Sequence, residues 1–535
     1  MDILARGKYV ITDANDGEKG VFTDGAVYFS EGKVKEVGDF AALKDKYPHA
    51  IIKGNGKQLL MPGLIDGHSH GWGLSAIQRG LTYDFLENVL INWAYMLNID
   101  PELNAMMSAI RHLRSGCTTM HHIIGFLGQK RLYRVGSSYA TMHHNNWGEA
   151  PNMLELGVKA IENYKKVGIR VAFSPGVLNM NTLALDDTEF FATLPPDLQE
   201  FARPMVYYDK KAVEDDFFNT FEELYSRYNG EETRVLLSPT WVQGCDDGFL
   251  QHIKERADNL GKIQIHIHTL QTPIQKAYGL KKYGKSLLAH LDDIGLVDEN
   301  LTLGHGVYLS EADIELLATK RASITHHPSC NLAVRNGISP VYYLYKAGVN
   351  VALGMDDKTI NDDEDAIMEL RMIHKLHRMS GYDLANTSAL NALDILKMGT
   401  TNAARVCGFD REIGALKKGM KADAILVDLE EIMEDPWTST DLSIAEIFIH
   451  RAKGAHVNTV IVGGEVVMED RKFLTVDVDL IYNEVRKQAQ KGISLEQRKF
   501  ADELQRIKPY YHKWYKGWVE DNIEWEPFYL LNSRK

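Results

Sequence analysis

The feature that most constrains this chain is a rhythm. Between residues 59 and about 400, brief β-branched or apolar runs alternate with longer helical stretches: "RVAFSPG", "TRVLLSPT", "KIQIHIHT", "LTLGHGV", "ASITHHP" and "VNVALGMDD". A strand-helix-strand alternation of this kind predicts parallel strands with helical crossovers, and the count fits an eight-stranded (β/α)8 barrel of the α/β class. At 535 residues the chain exceeds what one hydrophobic core usually serves, so a second, smaller unit is expected beside the barrel.

The flanks supply that unit. Residues 1–58 read as short strands broken by Gly, Asn and Asp, as in "KYVITDAN" and "GAVYFSEGKVKEVGD", and the strand-rich pattern returns in "EIGALKKGMKADAILVDL" and "AHVNTVIVGGEVVMEDRK". The expected layout is therefore a β-unit split between 1–58 and 405–475, a barrel over 59–404, and an extension over 476–535. That extension is a charged helix-like stretch followed by "KPYYHKWYKGWVEDNIEWEPFYLL". So many aromatics would be costly in a solvated tail, so it is expected to pack on the barrel or on a second subunit.

Charge and composition narrow the partners. A net charge of −13 gives no basic footprint for nucleic acid or an anionic membrane, and no segment approaches the roughly 18 apolar residues of a membrane span. A small-molecule ligand remains. Cys117, Cys245, Cys330 and Cys407 are too scattered for a disulfide framework, and the start of the chain lacks a targeting pattern, so a cytoplasmic location is the expectation.

Histidines gather at the ends of the expected strands: His68 and His70, His121 and His122, His266 and His268, His305, His326 and His327. A single strand-end histidine is more often a hydrogen-bonded core residue than a ligand. Several together differ, because the carboxyl ends of barrel strands converge on one face and imidazole is the commonest ligand of zinc-like metals. Asp356, after "VNVAL", is placed to face the same mouth.

"MPGLIDGHSH", "IHIHTLQT", "LGHGV", "HHPSCNLAVRNGISP", "VNVALGMDD" and "IGALKKGMKADAILVD" occur in this order, and with them residues 1 to about 475 resemble the amidohydrolase superfamily, in its cytosine deaminase and triazine hydrolase-like branch. The resemblance implies a TIM-like barrel with one catalytic divalent metal, zinc first with iron or manganese as alternatives, and a flanking β-sandwich built from both chain ends. It implies His68, His70 and His268 as metal ligands and Asp356 as ligand and general base. His305 would contact the attacking water or the substrate, and His326 and Asn331 would help shape the substrate pocket; Trp72, just past the histidine pair, is weighed as a pocket wall or core from its place in the chain. "RVAFSPGVLNM" holds no lysine for a bridging carbamate, which favours a mononuclear site. Together with the aromatic tail, the resemblance also implies a homodimer or larger homo-oligomer.

One departure from the branch matters. Its deaminases carry His-x-x-Glu at the fifth strand, where the Glu moves a proton onto the attacked ring. Here the motif reads His268-Thr269-Leu270-Gln271. Glutamine has the same reach but cannot give and retake a proton. Gln271 is therefore expected to hold the substrate, and hydrolysis of a non-peptide carbon-nitrogen bond in an amide, urea, carbamate or amino-substituted ring is the first reading. The alternatives are a ring deaminase that uses another acid, such as His266, His305 or His121, and a non-catalytic assembly protein of the same fold. The complete set His68, His70, His268 and Asp356 counts against the last. Trp93 and Tyr95 are weighed as pocket walls or core, the acidic run "INDDEDAIMELR" as a solvated helix start, and His143 and His144 as residues of a pocket loop.

Overall fold

The computed structural model describes residues 2–127, 153–356, 358–378 and 390–523. His143 and His144 lie outside the described residues, as does the end of the aromatic tail. Among the described residues no helix is long and apolar enough to cross a membrane.

Eight parallel strand segments carry the central part of the chain. They are β1 (Leu64–Ser69), β2 (Cys117–Leu127), β3 (Arg170–Val177), β4 (Thr233–Val235, resuming at Ser238–Pro239), β5 (Ile265–Thr269), β6 (Leu301–His305), β7 (Ser323–His326) and β8 (Asn350–Leu353). The order β1-β2-β3-β4 forms one parallel sheet and β5-β6-β7-β8 another. Parallel bridges join them on both sides, Leu237 to Ile265 and Trp241 to His268 between β4 and β5, and Ser69 to Asp356 between the ends of β1 and β8. The fold is thus α/β with parallel sheets, as the rhythm predicts. β3, β5 and β6 are buried along their whole length, so both faces of each strand meet protein, and the histidines and threonines of β5 and β6 are buried with their apolar neighbours.

The connections follow local chemistry. After β5, Thr272 caps the helix Pro273–Tyr283 by accepting from the Gln275 N–H, Pro273 fixes the first helical φ, and Gly284 closes the helix at φ 68°.

Strands from both chain ends meet in a single nine-stranded sheet. Its seam is the antiparallel pair Gln58–Pro62 with Ala424–Asp428, in register at Leu60 and Leu426. Val21–Ser30 and Lys33–Asp39 are joined by the two-residue turn Glu31-Gly32, both residues at positive φ, the geometry that matches strand twist. One apolar cluster takes Ile3, Val10, Phe29, Leu60, Leu426 and Ile461 from both halves. The extension packs on its own chain: Phe500, Leu504, Ile507 and Tyr511 share a core with Phe190, Leu198 and Met205.

The end sheet is tied to the parallel strands by a buried ion pair. Arg170, at the start of β3, donates from Nε and Nη2 to the two oxygens of Asp423 at 3.0 and 2.9 Å, and Asp423 also accepts from the Gly463 N–H at 2.7 Å. Both side chains are nearly inaccessible. Arg170 keeps a second partner in Glu232, so removing Asp423 leaves its charge partly compensated, and Asp423→Ala should destabilise the protein by about 3 kcal/mol, the low end for a broken buried pair. Chemical denaturation of the variant beside the parent protein measures this.

Candidate metal centre

β1 ends in His68-Ser69-His70, and its carboxyl end faces those of β5, β6 and β8. Alternation along the strand sends His68 and His70 to the same side. Each imidazole that reaches this mouth has one nitrogen held and the other turned inward. His68 Nδ1 shares a hydrogen bond of 2.7 Å with His266 Nε2, and His70 Nδ1 lies 3.0 Å from the Ile123 carbonyl. His268 Nδ1 donates to the Thr240 carbonyl, and His305 Nδ1 lies 3.0 Å from Asn331 Oδ1 and 2.9 Å from His327 Nδ1.

The Nε2 atoms converge on Asp356. Its Oδ1 lies 3.2 Å from His70 Nε2 and 3.7 Å from His68 Nε2, and its Oδ2 lies 3.6 Å from His305 Nε2. His268 Nε2 is 3.4 Å from His70 Nε2. His68, His70 and His268 form one group, and His68, His305, His327 and Asp356 another, in each of which one ligand atom per residue lies within 4.8 Å of the rest. The Nε2 atoms of His68 and His305 are buried without a hydrogen-bond partner. Inward lone pairs with outward nitrogens held by hydrogen bonds are what a nitrogen-ligated divalent cation requires, and the residues present fit one.

The electrostatics agree. Burial lowers the pKa of these imidazoles and their neighbours lower it further: His268 falls to about 3, and His68, His266 and His327 fall well below the ordinary value. They are neutral at pH 7, as ligands must be. Burial alone would raise Asp356, but the His70 hydrogen bond holds it below the usual carboxylate range.

Backbone geometry aims the groups. His305 and Asp356 have φ of 72° and 64°, and Leu270, just before Gln271, has 52°. Left-handed non-glycine residues are costly and persist where the surroundings fix them. Gly354 has a different reason: a Cβ there would lie 2.2 Å from His327 Cδ2.

Under the mouth lies a second buried network. Asp66 Oδ1 accepts from the backbone N–H groups of His68 (3.0 Å) and Met355 (2.9 Å), and His112 Nε2 donates to Asp66 Oδ2 at 2.9 Å. Glu364 stands 3.5 Å from His112 Nδ1. Burial opposes charge on His112, but the carboxylates of Glu364 and Asp66 outweigh it and raise its pKa to about 9.

The other expected residues are placed as follows. Gln271 is buried, its N–H donating to Gln275 Oε1 at 2.8 Å. His326 turns away from the mouth to His377, with 3.0 Å between their Nε2 atoms, and its neighbour His327 faces Asp356. Asn331 orients His305. Trp72 packs with Leu86, Trp93 and Met96 beneath the Arg79 guanidinium, 4.4 Å from its ring, and the Tyr95 hydroxyl donates to Asp502. His121 pairs with Ser174 at 2.8 Å, and His122 accepts from the Tyr164 hydroxyl at 2.6 Å. In the acidic run, Asp362 and Asp363 are exposed and Asp365 caps a helix, but Glu364 is buried toward His112.

His266 and His327, expected as members of the strand-end histidine group and His266 also as an alternative acid, respectively hold His68 and face Asp356, and Asp66, His112 and Cys330, whose thiol donates to Asp356 Oδ2 at 2.8 Å, join the site although no local pattern marks them for it. A further group, His374, Glu446 and His450, lies apart, and the Arg378 guanidinium 3.3 Å from His374 Nε2 opposes a cation there.

The profile of the amidohydrolase family matches residues 59–467. Among curated relatives, a 5-methylthioadenosine/S-adenosylhomocysteine deaminase of Caldanaerobacter subterraneus subsp. tengcongensis is 29% identical over 477 residues, covering 87% of this chain and 93% of the relative. A 5'-deoxyadenosine deaminase of Methanosarcina mazei is 27% identical over 504 residues, covering 92% and 99%. An adenosine deaminase from Xanthomonas campestris with bound zinc superposes with a TM-score of 0.73 at 23% identity, covering 92% of this chain and 98% of the other. Atrazine chlorohydrolase from Arthrobacter aurescens TC1 complexed with zinc gives 0.71 at 20% identity, covering 91% and 99%. At these identities the structural likenesses establish the fold alone.

The His112 network sets a pH dependence of stability. The folded-state pKa of about 9 lies above the unfolded value of about 6.5, so the stabilisation is complete below pH ~6.5 and is lost as pH rises through about 9. Denaturation midpoints should fall across that window, and His112→Gln should start lower and give a flatter profile.

Proposed function

The chain belongs to the amidohydrolase family, and from that premise we propose that it is an aminohydrolase that releases ammonia from an amino-substituted heterocycle. It is a hydrolase acting on carbon-nitrogen bonds other than peptide bonds, of a metal-dependent family, and its curated relatives are deaminases. The observation that carries the reading is the convergence of Nε2 of His68, His70 and His268 with Asp356 at the mouth of the parallel strands.

We read β1 to β8, with the bridges on both sides, as a closed (β/α)8 barrel, and the nine-stranded sheet as a β-sandwich folded around its shared apolar cluster. The barrel would span 59–404, the β-unit 1–58 and 405–475, and the extension 476–535, with strand Gln58–Pro62 crossing the first boundary.

His68, His70, His268 and Asp356 would hold one divalent cation, zinc before iron or manganese. When bound, such a cation acts as a Lewis acid and lowers the pKa of water from 15.7 toward roughly 7. Asp356 takes the proton of the attacking water. His305, its Nδ1 held by Asn331, presents a neutral Nε2 lone pair 3.6 Å from Asp356 Oδ2 and so positions that water or accepts a substrate N–H. Asn331 Nδ2, buried without a partner, is a donor available to substrate. Gln271 hydrogen-bonds substrate but moves no proton. That residue favours a second reading, hydrolysis of an amide, urea or carbamate, whose leaving group needs no proton from position 271.

Purified protein should hold about one transition metal per chain and lose activity to a chelator, with recovery on adding zinc, iron or manganese; metal-free active protein would overturn the metal assignment. Asp356→Asn should lower kcat about 10²–10⁴-fold. An ammonia-release screen over aminated purines, pyrimidines and triazines beside amides and ureas separates the two readings. Gln271→Glu should raise activity on a ring substrate; unchanged or lower ring activity, with turnover of amides or ureas, favours the second.

A further inference from the structure

Beside the metal centre lies a cavity of about 90 Å³. Its walls follow the carboxyl ends of three successive strands: Leu178 and Asn181 after β3, Trp241 and Gln243 after β4, Ile274 and Gln275 after β5. It adjoins the site through the chain itself. Trp241 is bridged to His268, Gln275 accepts from the Gln271 N–H, and the hydroxyl of Thr272, next to Gln271, donates to Glu87 Oε1 at 2.7 Å across the cavity wall.

Leu86, Leu90 and Ile91 line it further, as do Thr182 to Leu185, and one part of the wall comes from outside the family match, which ends at residue 467. Helix Leu495–Tyr515 contributes Leu504, Tyr511 and Tyr515. This wall is fixed in place, since the Tyr515 hydroxyl accepts from the Leu185 N–H at 2.8 Å and Trp514 Nε1 donates to the Leu185 carbonyl at 2.9 Å. Gln497 Nε2 donates to the carbonyls of Ala94 and Met96 at 3.0 and 2.8 Å, which anchors the start of the same helix.

The lining is largely aliphatic and aromatic; of its polar residues Asn181, Thr182 and Gln275 hydrogen-bond within the protein, and Gln243 and Glu87 offer acceptor oxygens. Gln243 is 3% exposed and its Oε1 has no hydrogen-bond partner. Glu87 carries a carboxyl whose pKa burial raises, the Thr272 hydroxyl pulling the other way. A buried acceptor left unpaired costs free energy that a bound donor recovers. The volume is below the roughly 150 Å³ of an apolar cavity that admits benzene, so the space suits one compact group and not a whole heterocycle.

We propose that this cavity is a subsite for the non-reacting end of the substrate, taking a compact alkyl group that carries a hydrogen-bond donor, hydroxyl or amine, with Gln243 and Glu87 as its acceptors and the C-terminal helix as its closing wall. Because it assigns the group to a substrate, the proposal rests on the hydrolase reading above. Gln243 and Glu87 are specificity determinants for that group, and the helix beyond the family match supplies selectivity that the shared barrel does not.

The test uses metal-loaded, full-length protein and three small probes, isobutanol, isobutylamine and isopentane, titrated by saturation-transfer NMR. The two donor-bearing probes should bind at least tenfold more tightly than isopentane. Gln243→Leu should weaken them at least fivefold while leaving isopentane unchanged or improved. Leu504→Trp, which fills the cavity from the C-terminal helix, should abolish binding of all three. Equal binding of isopentane by the parent protein overturns the proposal without any variant, as do donor binding unaffected by Gln243→Leu and binding that persists in a folded Leu504→Trp. Turnover gives the separate readout: the donor probes should raise KM of a ring or amide substrate without changing kcat. Ammonia release without probe binding sinks the subsite alone; saturable probe binding with no hydrolysis of any carbon-nitrogen bond sinks the hydrolase reading and leaves the pocket.

Discussion

Asp66 is the group on which the geometry of the mouth depends. One carboxylate oxygen accepts N–H bonds from His68 on the first strand and Met355 beside Asp356 after the eighth, and the other accepts from His112 on a helix behind them. The two chain segments that bring His68 and Asp356 together are 289 residues apart at this carboxylate, and the reciprocal backbone bonds His70 N–H to Asp356 O and Asp356 N–H to His68 O complete the clasp. A charged side chain this deep is costly unless fully hydrogen-bonded, and the surroundings of Asp66 supply that. The charge on His112, kept by Glu364 and Asp66, is part of the same balance.

From that clasp the rest of the site follows by a repeated device. Four imidazoles each give Nδ1 to a fixed partner, respectively His266, the Ile123 carbonyl, the Thr240 carbonyl and Asn331, so that ring orientation is set before any ligand arrives. Holding one nitrogen fixes where the other points, and burial keeps the ring neutral. The same buried environment would be unfavourable to the unpartnered Nε2 atoms of His68 and His305 unless something with positive charge shared them. Preorganisation and the demand for a cation are therefore one property of the arrangement.

Much of this was legible in the chain. The alternation of short strand-like runs with helices carried the parallel strands, because parallel neighbours need a helical crossover between them. "GHSHG", "IHIHT", "LGHGV" and "GMDD" carried the positions of His68, His70, His268, His305 and Asp356, because side chains that gather at a strand mouth stand as polar residues where an apolar run stops. The pairing of Gln58–Pro62 with Ala424–Asp428 accounts for the returning β pattern after residue 412. Other residues were not legible. His326 and His327 are adjacent and chemically alike, and which of them faces Asp356 depends on where the strand's alternation breaks. Trp72 looked like a pocket wall from its place after the histidines, yet it packs among Leu86, Trp93 and Met96. Glu364 sat within an acidic run that reads as solvated, and one of the four carboxylates turned inward to His112.

By itself, then, the sequence determined the parallel-strand fold, the family and the kinds of group available at the mouth, since these depend on periodicity and on short motifs that survive without knowledge of their neighbours. It also determined that position 271 cannot relay a proton, which is a property of glutamine wherever it sits. Only the tertiary structure decided that Asp66, His112 and Glu364 form one network, that His327 and not His326 meets Asp356, and that Gln243, Glu87 and the C-terminal helix enclose a cavity beside His268. Each of those is a contact between residues far apart in the chain, created by strand register and helix packing. No local pattern encodes them, because the energy that fixes them comes from burial and hydrogen bonding that exist only once the elements have assembled.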